Sequence, residues 1–262
     1  MAITQDQLHV LEAREEHTHT IILLHGRDSN ASEFAAEFLE SETSDNKTLP
    51  DLFPNFKWVF PKSKIRKSER FQGVEMSQWF DMWTTENPEE REELQMAGLE
   101  ESVPFILELI RQETEIVGSK RIILGGISQG CATAIHALFQ NYTQLGGFIG
   151  LCSWLPFAER IREIAATSPT MDLALPRIRN LVPPSGSIGG DTTSNPLQTR
   201  VFLSHSLKDP VIDVGNGQKL RATLEESLGM AVEWRSYDNE EHWITEPQGV
   251  DDMVMFIRDC LR

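Results

Sequence analysis

The stretch "GGISQGCATA" at residues 125–134 places a single serine between glycines, where aliphatic residues give way to small ones. The preceding "RIILGG" (121–126) is typical of a buried strand and the following "QGCATAIHALFQ" (129–140) of a helix. A G-x-S-x-G pattern alone arises by chance in chains of this size. A strand, a sharp turn and a helix together are the setting of a nucleophilic serine. Ser128 is therefore a candidate nucleophile, and a role confined to the turn is the alternative.

The residue types in this turn have a physical explanation. Side chains at positions 126 and 130 would collide with the neighbouring strand and helix, so glycine is needed at both. Ser128 stands at the head of the helix, where backbone N–H groups and the helix dipole favour a developing oxyanion. A serine hydroxyl also needs a base, so we expect an acid and a histidine further along the chain.

His242 fits the position of the base, and Asp209 fits that of the acid. His242 lies in "NEEHWITEP" (239–247), between the strand that ends at Tyr237 and the last helical segment. Asp209 follows a strand end by a few residues and precedes a proline, so we prefer it to Asp213, which suits the start of a helix. The other histidines are expected to be solvated, to pack, or to shape turns: His9, His17, His19, His25, His136 and His205.

Short aliphatic runs alternate with helical patterns along the chain. The runs are typical of strands at 20–26, 56–61, 121–126, 147–153, 200–206 and 231–237. The helical patterns cover 31–41, 88–118, 129–140, 215–229 and 247–261, with Pro104 expected to kink the second or to start a new helix. The sequence therefore predicts a single α/β domain over 1–262, with a mostly parallel central sheet between helices.

Composition narrows the function classes. The chain has 262 residues and a formal net charge of −16. This charge repels phosphate backbones and anionic lipid headgroups, so binding to nucleic acid and stable membrane insertion are disfavoured. Its basic cluster "PKSKIRKSER" (61–70) lacks the aromatic residues of a single-strand platform. Three widely spaced cysteines, no secretory signal and no long apolar run predict a cytoplasmic protein without a disulfide framework. No metal or cofactor is expected.

Six features of the chain fall in a recognisable order: "LLHGRDSNASEF" (23–34), "SQWFDM" (77–82), "GGISQGCA" (125–132), "GFIGLCSWLP" (147–156), "KDPVID" (208–213) and His242. The Trp-Phe-Asp and Ser-Trp-Leu-Pro segments are more specific than the serine motif. Together these segments resemble the acyl-protein thioesterase / carboxylesterase family, which is also described as lysophospholipase-like.

This resemblance implies an α/β-hydrolase fold and hydrolysis of carboxylic esters or thioesters, including S-acyl groups on proteins, without a cofactor. It implies Ser128, Asp209 and His242 as the catalytic triad. The backbone amides of Arg27 and Gln129 would form the oxyanion hole, and the Arg27 side chain would meet an acidic substrate or face water. Four apolar side chains would border the acyl pocket, with plain core packing as the alternative: Trp79, Phe80, Trp154 and Leu155.

The chain departs from the family pattern in the loops around the expected site. The family usually has glycine where this chain has Asp28, Cys131, Ser206 and Glu241. Asp tolerates the left-handed backbone better than most residues, so position 28 can keep its conformation. We expect these changes to reshape the loops without removing a catalytic group.

Residues 157–199 interrupt the alternation, with five prolines and a Gly/Ser/Thr-rich second half. Insertions at this point of α/β hydrolases tend to cover the active site, so the sequence predicts a cap, with a disordered surface loop as the alternative. The apolar residues available to line such a cap are Ile161, Ile164, Leu173, Leu175 and Leu181.

The leading functional hypothesis is an esterase or thioesterase acting on acyl esters or S-acylated proteins. Two alternatives stay open at this stage. One is a carboxylesterase or lysophospholipase for small esters, which would use the same triad in a different pocket. The other is a ligand receptor that keeps the fold without turnover, because a fold alone does not fix a function.

Overall fold

The strand ahead of Ser128 occupies the middle of the main sheet. The computed structural model describes residues 3–183 and 195–262. Within these ranges the strands are β1 Leu8–Leu11, β2 His19–Leu24, β3 Phe56–Pro61, β4 Lys64–Ser68, β5 Val74–Gln78, β6 Ile122–Ile127, β7 Gly147–Leu151, β8 Val201–Ser206 and β9 Val232–Tyr237. The α-helices are α1 Ala31–Glu40, α2 Leu49–Leu52, α3 Glu93–Val117, α4 Gln129–Gln140, α5 Ala158–Thr167, α6 Met171–Arg179, α7 Val214–Ala222 and α8 Gln248–Cys260.

Seven of the described strands form one sheet in the order β1-β3-β2-β6-β7-β8-β9. β1 runs antiparallel to β3, and every other neighbouring pair in this sheet is parallel. The carboxyl ends of β2, β6 and β8 therefore reach the same edge, and the loops that follow them come together there. The predicted mostly parallel sheet is confirmed.

Both faces of the sheet are covered, which is why its central strands read as continuous aliphatic runs. Along β6 the side chains alternate: Ile122 and Leu124 pack into one core layer, whereas Ile123 and Ile127 pack into the other. Helices α3 to α7 contribute to the first layer, and α1 and α8 contribute to the second.

Helix α3 is a single helix across Pro104, so the expectation of a second helix beginning there is wrong. Buried side chains on both sides of the proline, including Val103, Ile106 and Ile110, keep the segment packed on the sheet. That burial offsets the hydrogen bond that proline cannot donate.

The antiparallel hairpin β4–β5 and the edge strand β1 were not predicted. The hairpin carries most of the basic cluster, and its residues are largely polar or exposed, so it has no aliphatic run to reveal it. Its exposed apolar side chains are Ile65, Phe71 and Val74.

Gly98 brings α3 close to the chain that follows β5, and this contact yields a prediction. A Cβ at position 98 would lie 2.3 Å from the Phe80 Cα and 2.8 Å from the Trp79 carbonyl oxygen. Glycine-to-alanine changes inside helices ordinarily stabilise by about 1 kcal/mol. We expect Gly98→Ala to lower the free energy of unfolding by about 1–3 kcal/mol instead, because backbone has to move. Urea denaturation measures the change.

Gly249 in α8 provides the matched control. A Cβ there would lie 3.3 Å from the nearest atom, a side-chain carbon of Ile244. Gly249→Ala should therefore stay within about 1 kcal/mol of the wild type. Equal stabilities for the two variants would contradict the close packing of α3.

Candidate active site

Ser128 sits in a strained turn between β6 and α4. Its backbone has φ 54° and ψ −125°, a combination that non-glycine residues rarely adopt. The Ser128 N–H donates to the Leu151 carbonyl at 2.9 Å, and its carbonyl accepts from the Ser153 hydroxyl at 2.7 Å. These bonds to the end of β7 fix the turn, which presents the serine at the head of α4.

The two glycines of the motif are required by close packing, as predicted. A Cβ at Gly126 would lie 2.7 Å from the Leu24 carbonyl oxygen and 2.8 Å from the Cys131 nitrogen. One at Gly130 would lie 2.2 Å from the same Leu24 oxygen and 2.5 Å from that of His25. Real Cβ atoms do not approach so closely, so the end of β2 can pass the turn only where side chains are absent.

Asp209 and His242 are joined by a hydrogen bond. The Nδ1 atom of His242 lies 2.7 Å from Oδ2 of Asp209. The other carboxylate oxygen, Oδ1, accepts from the backbone N–H groups of Val211 at 2.8 Å and Ile212 at 2.9 Å. The Asp209 side chain is fully buried, whereas that of His242 is 20% exposed. The pair therefore has a buried acid and a partly open imidazole.

The second acid considered in the sequence has another role. The Asp213 side chain accepts from the Gly215 N–H at 2.8 Å and caps the N-terminus of α7. This matches the capping role expected of it.

The Asp209 carboxyl group is held in its charged form. Burial by itself would raise its pKa, but hydrogen bonds from His205 and His242, the charge of His242 and the Ile212 N–H outweigh that effect. The pKa of Asp209 is consequently well below the usual range for aspartate. At neutral pH His242 therefore faces a carboxylate.

Ser128 and His242 open onto the same cavity, whose volume is about 420 Å³. That size is within the range of small-molecule sites. Its walls are largely apolar, which suits a hydrocarbon group. The apolar side chains that line it are Phe34, Phe71, Met76, Met82, Ile127, Val211 and Trp243. The charged residues along it are Arg27, Asp28 and Glu37.

Gln129 and Arg27, the candidate oxyanion-hole residues, both line this cavity. Gln129 is the first residue of α4, so its N–H has no acceptor within the helix. Its buried side chain accepts from the Trp79 N–H and donates to the Phe80 carbonyl, both at 2.8 Å. These two bonds fix the start of the helix beside Ser128.

The Arg27 side chain is half-buried at the edge of the cavity and is held by the hairpin β4–β5. Its guanidinium donates to the Ser68 hydroxyl at 3.2 Å and to the Met76 sulfur at 3.1 Å, and it lies over the Phe71 ring. The hairpin β4–β5 thus holds the loop after β2 in place. The neighbouring Asp28 has φ 61°, the left-handed conformation expected at this position.

Four predicted pocket residues lie in the core instead of along the cavity. Trp79, Phe80, Trp154 and Leu155 are each at most 3% exposed, and none of them lines the cavity in the part of the chain that the structure describes. The Phe80 and Trp154 rings pack edge to face at 6.0 Å. The Trp79 indole N–H donates to the His25 carbonyl at 2.8 Å. Of these four residues, Trp79 and Phe80 bind the Gln129 side chain through their backbone groups.

The apolar residues of the cavity wall were not predicted. Phe34 and Trp243 could have been found, since one lies in the helix after the Arg27 loop and the other is adjacent to His242. Phe71 and Met76 come from the hairpin, which has no recognisable strand pattern.

The described part of the predicted cap does not cover the cavity. Residues 157–183 include α5 and α6; α6 packs on α4 and α5 packs on α6, with Ile161 and Leu175 buried and Leu173 57% exposed. None of these residues lines the cavity. Residues 184–194 of the segment lie outside the described residues.

Cys152 adds a thiol behind the acid and the histidine. Its sulfur, an Asp209 oxygen and a His242 nitrogen lie within 4.8 Å of one another, so these three residues could in principle hold a metal ion. Burial and the nearby Asp209 charge raise the pKa of this thiol, which keeps it protonated and makes it a poor metal ligand. The hydrogen-bonded pair accounts for the arrangement without a metal.

The fold and the site define this chain as an α/β hydrolase. Acyl-protein thioesterase 2 of Zea mays matches it with a TM-score of 0.71 at 22% identity, covering 97% of this chain and 99% of that one. Arabidopsis thaliana SOBER1 matches with a TM-score of 0.70 at 20% identity, covering 93% and 99%. These likenesses show the fold.

The phospholipase/carboxylesterase family model matches residues 5–178, and the chain belongs to this family. Curated relatives include acyl-protein thioesterase 1 of Cryptococcus neoformans, 23% identical over 96% of both chains. That of Yarrowia lipolytica is 26% identical over 88% of both. The protein is a hydrolase of carboxylic esters or thioesters, as the sequence predicted. Among the described helices, none combines the length and apolarity needed to cross a bilayer.

The lowered pKa of Asp209 predicts how stability depends on pH. Because the unfolded aspartate has a pKa near 3.9, its ionised form stabilises the fold fully above that value. This contribution is lost as the pH falls from about 4 toward the lower pKa of the folded state. Asp209→Asn lacks it, so urea denaturation between roughly pH 5 and pH 3 should show a smaller loss of stability for the variant. Equal losses would contradict the charged, hydrogen-bonded carboxylate.

Proposed function

We propose that this protein is an acyl-thioesterase and esterase that works through an acyl-enzyme on Ser128, with His242 as base and Asp209 as acid. The observation that carries the proposal is the Asp209–His242 hydrogen bond of 2.7 Å, with His242 and the strained Ser128 facing the same cavity. A nucleophile, a base and a group that orients the base are the parts that acyl transfer requires.

The geometry supports a definite order of proton transfers. Because Nδ1 of His242 is bound to Asp209, Nε2 is the atom left to take the proton of the Ser128 hydroxyl. The serine oxygen attacks the acyl carbon, and the negative oxygen that forms accepts from the N–H groups of Arg27 and Gln129. Asp209 stabilises the imidazolium throughout this step.

The remaining steps return the enzyme to its starting state. The imidazolium gives its proton to the departing sulfur or oxygen as the bond to the acyl carbon breaks. Water then attacks the acyl-enzyme while His242 takes a proton from it, and the acid is released as Ser128 regains its hydrogen. No cofactor enters these steps.

An acyl chain is the substrate group that the cavity favours. Its walls are largely apolar, and the curated relatives named above are acyl-protein thioesterases. The net charge of −16 disfavours long residence on an anionic membrane, so S-acylated proteins met in the cytoplasm suit this chain better than bulk phospholipid. Residues 1–262 would act as one hydrolase domain.

A small-ester carboxylesterase or lysophospholipase is the second candidate. The family description names phospholipase and carboxylesterase, and the fold of esterase PE8 matches with a TM-score of 0.67 at 19% identity. These enzymes would use the same residues, so only the substrate profile separates the candidates.

Hydrolysis of p-nitrophenyl esters from acetyl to palmitoyl, with a palmitoyl thioester alongside, tests the proposal on wild type and Ser128→Ala. Losing the nucleophile should lower kcat by about a millionfold, leaving residual catalysis by the remaining groups. Preference for the long thioester supports the first candidate, and preference for short esters supports the second. A kcat of Ser128→Ala close to that of the wild type would contradict the mechanism.

Asp209→Asn and Asp213→Asn form a matched pair that tests the choice of acid. Asparagine at 209 has a neutral side chain and can hold the imidazole in the wrong tautomer, so kcat should fall by roughly ten-thousandfold. Asparagine at 213 still caps α7, so that variant should remain close to wild type. Comparable losses in both variants, measured at saturating substrate, would show that Asp209 has no special role.

A further inference from the structure

We propose that His205 is a positioning residue, which holds the Asp209 carboxylate in the orientation that His242 needs. The inference rests on the proposed function, because it concerns the acid of that triad. His205 is the penultimate residue of β8 and comes four residues before Asp209. It does not line the cavity, so it acts through Asp209 and does not meet the substrate.

One carboxylate oxygen faces two imidazoles. Oδ2 of Asp209 lies 2.7 Å from Nδ1 of His242 and 3.4 Å from Nε2 of His205. The same Nε2 lies 2.9 Å from the Ile212 carbonyl oxygen. Both neighbours of Nε2 are acceptors, so this atom carries the hydrogen, which bonds to the Ile212 carbonyl and lies beside the Asp209 carboxylate.

The other side of the His205 ring is closed. Its Nδ1 is buried and has no hydrogen-bond partner among the described residues. A Cβ at Gly217 would lie 2.4 Å from this nitrogen, so only glycine lets α7 pack against the ring. The Trp234 ring lies 6.3 Å away on the neighbouring strand. The ring is therefore locked with its Nε2–H directed at Ile212 and Asp209.

The donors around Asp209 divide between its two oxygens. Oδ1 is held by the N–H groups of Val211 and Ile212, which belong to the loop after β8. Oδ2 faces the two imidazoles of His242 and His205. The His205 hydrogen opposes rotation of the carboxylate about its own axis, so Oδ2 stays in line with His242.

His205→Gln and His205→Met are the variants that test this role. In all three side chains the terminal atom that matches Nε2 is the same number of bonds from Cβ. Gln supplies an N–H there, whereas Met fills the space without a donor. We expect His205→Met to lower kcat by about ten- to a hundredfold, the effect of one hydrogen bond to a charged group. KM should not change, and His205→Gln should recover most of kcat.

Each kcat is calculated per active site. The number of active sites is measured by titration with a fluorophosphonate until no further protein reacts. This count excludes unfolded molecules, so a variant that folds poorly still gives a kcat. A His205→Met kcat within twofold of wild type would overturn the proposal. Equal losses in Met and Gln would also overturn it, because the ring and not the hydrogen would then matter. If Ser128→Ala turned over as fast as the wild type, the proposed function itself would be overturned. That result distinguishes failure of the proposed function from failure of the role proposed for His205.

Discussion

The crowding of backbone between the end of β2 and the start of α4 is the constraint on which the site depends. Gly126 and Gly130 both face the Leu24 carbonyl oxygen at distances that leave no room for a Cβ. Because the strand and the helix meet so closely, the chain between them turns within one residue, and Ser128 takes the strained conformation. The same approach brings the loop with Arg27 to the cavity that Ser128 and Gln129 also line, so one packing contact positions the candidate nucleophile and the candidate oxyanion donors together.

The second constraint is electrostatic and concerns the charge of Asp209. A buried carboxylate is costly unless its lone pairs are satisfied. Asp209 meets this condition with backbone N–H groups at one oxygen and histidines at the other, and its pKa falls accordingly. The charge is therefore kept where it orients His242, in a region that water does not reach. The Gln129 side chain is satisfied in a similar way. The backbone N–H of Trp79 and the carbonyl of Phe80 bind its amide group and hold it at the head of α4.

Much of this arrangement was predictable from the sequence, and the exceptions have physical causes. The strand 56–61 and the helix 129–140 match the observed bounds because aliphatic burial and small-residue packing leave clear patterns. Positions 128, 209 and 242 follow from the order of strands and loops. The hairpin β4–β5 left no pattern because it is mostly polar, and with it Phe71 and Met76 of the cavity wall were missed. Trp154 and Leu155 show that an apolar residue near a catalytic loop belongs as readily to the core.

A covalent bond between Ser128 and the acyl group is the most direct consequence of the proposed mechanism. The wild-type enzyme is mixed with a long-chain acyl thioester, quenched in acid within the first turnover, digested, and analysed by mass spectrometry. We predict that the peptide containing Ser128 gains the mass of the acyl group less one hydrogen, and that Ser128→Ala shows no such gain. An acyl group found on another residue, or rapid hydrolysis with no acylated peptide at any time, would contradict it.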